Sequence, residues 1–374
     1  MKDQTKTQAI ELIYEEAITL LKMLISIPSI SKQEDKTAEA IYQWLTSFGA
    51  KAHYVNNNVW GQNKYFDDVN PTILLLSHHD TVQASGNYSR DPYLPEVVDG
   101  KLYGLGSNDA GGPLVTLLGV FKYFYAKEDL PFNLVMCAAA EEEISGKNGV
   151  ELALNHLPKI DFAFVGEPTS MQAAVSEKGL MVCDCVAKGK AGHAARDEGI
   201  NAINIAMRDI QWIEQYQFPK TSPTLGPVKM TVATIKGGVK HNIVPEHCEF
   251  IVDVRSTDAY SNDEILKIMQ DNMHSTITAR SFRLQPSQVS LSHPIIKTLM
   301  DVGIETFGSS TMSDQALLKC PSVKFSPGES ARSHTADEYI YLSEIQSAVA
   351  FFIPFFEALS TTTELTLQDS KELI

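Results

Sequence analysis

Three short apolar runs, each ending at an acid or a histidine, constrain this chain more than any other feature. Pro71-Thr-Ile-Leu-Leu-Leu-Ser77 leads into His78 and Asp80, Phe132 to Ala139 leads into Glu142-Glu143, and Phe162-Ala-Phe-Val165 leads into Glu167. Continuous apolar runs of this length are of the buried-strand type. Open α/β sheets bind ligands beyond the carboxyl ends of their strands. The pattern therefore predicts an α/β fold and a functional site assembled from distant parts of the sequence.

The segments between these strands read as helices. Ile10, Ile13, Ala17, Leu20, Leu21 and Leu24 recur at helical spacing over residues 8–26, and Lys32 to Gly49 forms a second helix that Gly49 stops. A third covers 112–125 after the Gly111-Gly112-Pro113 turn. From about residue 180 the pattern changes to strand 180–188, helix 201–215, strands 228–236 and 247–255, helix 262–273 and strand 275–283. That βαββαβ order is the ferredoxin-like arrangement. Helical periodicity returns at Ile295 to Phe307. The reading is a discontinuous catalytic α/β/α domain, residues 1–179 and 289–374, interrupted by a lid or dimerisation domain, residues 180–288. The polar residues from Thr361 to Ile374 read as a surface tail.

Bulk properties exclude several classes. The 374 residues suffice for one large core or two ordinary domains, and 44% hydrophobic with 21% charged residues describes a soluble globular protein. No apolar run is read as a membrane span of ~18–20 residues. Glu11, Glu15 and Glu16 near the start argue against a signal peptide. A formal charge of −15 argues against nucleic-acid binding and suits a small-molecule enzyme. The cysteines (137, 183, 185, 248 and 320) are odd in number, and zinc-ribbon CxxC pairs are absent. They read as reduced thiols of a cytoplasmic protein.

Several residues near the strand ends have the chemistry of a two-metal hydrolase. Such a site needs few protein ligands, so that water and substrate keep room on the metals. His78 and Asp80 are two apart on an extended segment and point to one face. Asp80 can then hold the far ring nitrogen of His78, while His79 points away and reads as a packed or exposed histidine. Gly104-Leu-Gly-Ser-Asn-Asp109-Ala-Gly-Gly112 is no dinucleotide fingerprint, because Asp109 stands where the third glycine belongs. It is no nucleophile elbow either, since no glycine follows two residues after Ser107. Alone, Asp109 also reads as a loop cap, and Glu141-Glu142-Glu143 reads first as a solvated acidic turn, which its position after a buried strand outweighs. Gly166-Glu167-Pro168-Thr169 and Ser333-His334-Thr335-Ala336-Asp337-Glu338 complete the series.

In their contexts and order, from about residue 70 to 340, these motifs resemble the acetylornithine deacetylase/succinyl-diaminopimelate desuccinylase family of di-zinc amidohydrolases and exopeptidases. The resemblance implies two divalent ions, zinc or cobalt. His78, Asp109 and Glu167 would hold one and Asp109, Glu143 and His334 the other, with Asp109 bridging and followed by a cis peptide. It also implies Glu142 as general base, with a metal-bridged hydroxide attacking the acyl carbonyl.

Lys188-Gly-Lys-Ala-Gly-His193 resembles the family's lid segment, in which the histidine reaches the partner subunit's active site in dimeric members and would stabilise an oxyanion. Gly237-Gly-Val-Lys-His-Asn242 and Asp253-Val-Arg255 match segments whose Asn and Arg surround the substrate carboxylate, although Arg255 also reads as a lid ion-pair partner. Ser313-Asp314 matches a family pair to which no role is assigned. His241, His247, His274 and His293 have no match and read as surface residues. The expected activity is hydrolysis of an N-acyl amino acid, foremost N-acetylornithine in arginine biosynthesis, by a cytoplasmic homodimer. Desuccinylation of succinyl-ornithine or succinyl-diaminopimelate, deacetylation of acetylcitrulline, a dipeptidase and an inactive metal- or substrate-binding relative are the alternatives. A serine hydrolase lacks its elbow.

Overall fold

The computed structural model describes residues 2–361. Two compact units are present: one comprises residues up to Val175, Val289–Phe307 and the chain from Ser313 onward, the other Ser176–Gln288 and Gly308–Met312.

The sheet of the first unit runs, in spatial order, through strands Ala52–Val55, Asn58–Gln62, Asn133–Ala139, Thr72–His78, Phe162–Gly166, Ser322–Lys324 and Ala173–Glu177. Thr72–His78 lies parallel to both Asn133–Ala139 and Phe162–Gly166. Every residue of these three strands is buried. Alternation explains why their sequences are continuously apolar. Ile73, Leu75, Leu134 and Met136 enter a core on one face, while Leu74, Leu76, Val135 and Cys137 enter a core on the other. Each such side chain contributes about 1.5–3 kcal/mol of burial.

Helices Lys2–Ile25, Gly112–Phe124 and Leu342–Thr361 supply the larger core with Leu21, Leu117, Phe121, Phe352 and Phe356. By length and composition alone, Leu342–Ser360 is apolar enough to cross a membrane, which corrects the expectation that no stretch qualifies. Its Ile345, Val349, Phe352 and Phe356 side chains are buried in this core.

The second unit is a four-stranded antiparallel sheet in the order Lys229–Gly237, His247–Ser256, Gly179–Lys188, Thr276–Ala279. With helices Ala202–Gln215 and Asn262–Asn272 this is the ferredoxin-like arrangement. Asn201 caps the first helix by accepting the Ile203 N–H (2.9 Å), and Ser261 with Glu264 forms a capping box on the second. Burial alternates along Gly179–Lys188, so Cys183 and Cys185 face the same core, with Ala206, Phe250, Ile265 and Met269. All five cysteines are free thiols.

Three local expectations are corrected. The helix expected over 295–307 ends at Asp301, because Gly303 takes a left-handed φ of 88° and the chain then enters strand Thr306–Ser309. The strand expected over 275–283 covers only Thr276–Ala279. His293 is buried, stacked on Phe162 with ring centroids 4.7 Å apart, and its Nδ1 accepts the Ile295 N–H at the start of helix Pro294–Asp301. His241, His247 and His274 are exposed. Of the polar tail, Thr361 closes the last helix and Thr362 to Ile374 lie outside the described residues.

Candidate active site

Strand Thr72–His78 carries His78 to its carboxyl end, where the imidazole is almost fully buried. His78 Nε2 lies 3.2 Å from Asp109 Oδ1 and 3.8 Å from Glu167 Oε1. On the other side of Asp109, His334 Nε2 lies 3.6 Å from its Oδ2 and 2.9 Å from Glu143 Oε2. Asp109 thus presents one oxygen to each histidine. Among the described residues, two groups have ligand atoms within 4.8 Å of one another: His78, Asp109 and Glu167, and Asp109, Glu143 and His334. The site grades from the buried His78 to the exposed His334, so one side is anchored and the other open to solvent.

The supports of these groups are largely backbone contacts. His78 Nδ1 meets the Asp80 main-chain oxygen at 3.0 Å and its carboxylate at 3.5 Å, so the carbonyl and not only the expected carboxylate orients the ring. The Asp80 carboxylate accepts the N–H groups of Glu142 (3.0 Å) and Glu143 (3.2 Å) and the Ser31 hydroxyl (2.6 Å). It therefore fixes the turn that carries both glutamates. His79 points away, buried between Thr37 Oγ1 (2.9 Å) and the Asn57 carbonyl (3.0 Å), and burial pushes it down to about 4.

Asp109 lies in the turn Ser107–Gly111, whose Asp109–Ala110 peptide is cis. Gly111 is required there, since a Cβ would come 2.3 Å from the Gly106 carbonyl oxygen. Three N–H groups of this turn converge on Glu338, which is buried: Gly106 on Oε2 (3.1 Å), and Asn108 (2.8 Å) and Asp109 (2.9 Å) on Oε1. His334 itself has a left-handed backbone, φ 57°, uncommon for a residue with a Cβ and concentrated at functional sites.

The electrostatics are those of crowded carboxylates. Burial and the nearby Glu167 raise Glu142 well above the carboxylate range, and burial pushes Glu167 up to about 8. Burial would lower His78, yet hydrogen bonds to Asp109 and Asp80 hold it well above its usual value. The hydrogen bond that His334 donates to the Glu143 carboxylate raises His334 to about 9. Burial raises Glu338 to about 8 against the three N–H groups that favour its anion. Two imidazoles and three carboxylates are a donor set that fits two divalent ions, which would compensate the carboxylates' charge.

Two charged residues near this cluster had no assigned role in the sequence. Asp314 is buried, and its charge helps raise Glu142 and Glu167, while Ser313 caps the following turn by accepting the Gln315 N–H (3.2 Å). Lys324, buried in strand Ser322–Lys324, acts on Glu167 in the opposite sense. A lysine inside an apolar strand was the available signal.

The remaining candidates belong to the second unit. His193 and Asn242 are exposed on neighbouring segments, with a bridge between His193 and Ile243 and an Ala194 N–H donated to the Asn242 carbonyl (3.1 Å). Arg255 forks onto Asp253 at 2.8 and 3.1 Å, the ion pair that its sequence also allowed.

Comparison with known proteins adds independent findings. The family model described as a peptidase dimerisation domain, of the M20 group, matches residues 175–277. The chain is 26% identical over 365 residues to an acetylornithine deacetylase of Proteus mirabilis, covering 88% of this chain and 93% of that one. A Staphylococcus aureus tripeptidase shares the fold at a TM-score of 0.74 and 19% identity, over 93% of this chain and 98% of its own. A dinuclear metal-binding peptidase of the M20 family from Bacillus subtilis does so at 0.70 and 15%, over 94% and 99%. Two convergent ligand groups sharing one aspartate thus lie on a fold shared with M20-family peptidases, in a chain that is similar to acetylornithine deacetylases over most of its length and carries a match to the M20 peptidase dimerisation domain.

Proposed function

We propose that the chain deacylates N-acyl amino acids, with N-acetylornithine as substrate, as in arginine biosynthesis, in a cytoplasmic homodimer that uses zinc or cobalt. The observation that carries this reading is Asp109, whose two oxygens face His78 and His334. His78, Asp109 and Glu167 would hold one ion, and Asp109, Glu143 and His334 the other. Bound there, divalent ions supply Lewis acidity and make water a usable nucleophile near neutral pH.

Glu142 belongs to neither ligand group, and its main chain is tied to Asp80. Its carboxylate takes the proton of the attacking water and delivers it to the leaving amine nitrogen. The products are a free α-amino acid and a small carboxylate. Asp80 holds His78 and the glutamate turn in register. His193 stabilises the developing oxyanion in a neighbouring subunit, and Asn242 and Arg255 bind the substrate carboxylate, for which Arg255 exchanges its Asp253 partner. The deacetylase relatives support the acetyl reading.

A hydrolysis panel of N-acetylornithine, N-acetylcitrulline, N-succinylornithine, succinyl-diaminopimelate and a dipeptide tests it. Highest kcat/KM on N-acetylornithine is expected. Preference for a succinyl substrate would move the assignment to a desuccinylase, and turnover of none would favour an inactive relative.

A further inference from the structure

Asp109 and His334 lie 225 residues apart in the sequence, and the strand-bound His78 anchors only the first ligand group. A pair of polar ties joins the segments that carry Asp109 and His334. The Glu338 carboxylate accepts three N–H groups from the turn that carries Asp109. The Asn108 side chain accepts the Glu329 N–H (2.9 Å) and donates to the Glu329 carbonyl (3.1 Å), at the start of the loop that carries His334. The Gly104 N–H is also donated to the Glu338 main-chain oxygen (3.0 Å).

The turn at Asp109 has no local side-chain cap, for Gly106 stands at the capping position. Glu338 does that work from the far end of the chain. Because all three partners are donors, both Glu338 oxygens must accept. A glutamine would turn an amide N–H₂ toward an N–H on one side, leaving a buried donor unpaired.

We propose that Glu338, seconded by Asn108, is a positioning residue that couples the two ligand groups: it orients Asp109 and ties it to the His334 segment, so that the second ion is bound only when both segments are clasped. This rests on the reading of Asp109 and His334 as ligands. The first ion depends on it less, because His78 and Glu167 are set by buried strands.

Equilibrium dialysis of the metal-stripped full chain against Zn²⁺, with metal analysis and circular dichroism, tests the clasp. Wild type should take up two ions. Glu338→Gln should retain its far-ultraviolet spectrum and one tightly held ion, with the second weakened about 10–100-fold, the range for groups that orient ligands. Asn108→Ser should shift the same ion in the same direction, by less, and serves as the deciding variant if Glu338→Gln does not fold. Wild-type affinity for both ions in a folded variant, even with a lowered Tm, overturns the clasp and leaves the two-metal reading standing. Failure of wild type to bind two ions overturns both.

Discussion

The two units handle polar groups in opposite ways. In the first, Asp80 and Glu338 are buried and each accepts several N–H or O–H donors, so the carboxylates are fixed and in turn fix the turns that carry Glu143 and Asp109. In the second, His193 and Asn242 stand exposed and Arg255 half-buried, on a sheet whose edge strand Lys229–Gly237 is largely open. The difference teaches that one chain can treat polar groups by two kinds of physics. In the first unit charge is fixed by buried backbone donors, whereas the polar groups proposed to meet substrate in the second are left with few partners.

The sharpest way to break that contrast is at Glu142. Glu142→Gln should lower kcat by roughly 10²–10⁴-fold with both ions retained, because it removes a proton carrier and no ligand. Glu143→Gln should instead lower metal content. The reverse assignment in metal analysis would mean that the glutamate register is off by one residue.

Packing offers the next largest effect. Phe164→Ala in the first core should cost about 3–5 kcal/mol in denaturant unfolding, while Ile235→Thr on the exposed strand should stay within about 0.5 kcal/mol. Equal losses would contradict the exposure of that strand. At His193, alanine should lower kcat about 10²–10³-fold without loss of metal. Mixing His193→Ala with Glu142→Gln under proven subunit exchange should restore part of the activity. Absence of recovery would put His193 in its own subunit's site or outside catalysis.

Legibility followed the same divide. The buried strands were readable because a strand packed on both faces must be apolar throughout, and Ile73 to Leu76 serve two cores in alternation. The residues at their ends stood out because an acid or histidine there has no packing reason. What could not be read were contacts between a side chain and a distant backbone, such as Glu338 on Gly106 or Asp80 on Glu142. An N–H acceptor pairing leaves no mark on the donor's residue type. His293 misled for a related reason: its role as a helix cap stacked on Phe162 is set by tertiary context. The run 295–307 misled because apolar spacing outvoted Gly303.

A smaller effect than the core substitution probes a charge outside the site. Glu357 accepts from Lys6 (2.6 Å), Lys127 (2.9 Å) and Tyr123 (2.8 Å). Burial would raise it, but these three bonds outweigh that and hold it down to about 2. A depressed carboxylate stabilises the fold above its unfolded value and loses that contribution as pH falls toward its folded one. Glu357→Gln should therefore cost about 1 kcal/mol at pH 7, given partial screening, with the gap to wild type narrowing below about pH 4.5. A gap that widens in acid would reverse the sign.

Under the proposed reading, two divalent ions at the Asp109 cluster would make this chain an amide hydrolase. The most direct measurement of that reading is turnover of N-acetylornithine and the other acyl amino acids by chelator-stripped protein, titrated with Zn²⁺ or Co²⁺. No hydrolysis without metal, and recovery complete as the second ion per chain is bound, is the predicted result; full turnover by metal-free protein would contradict it.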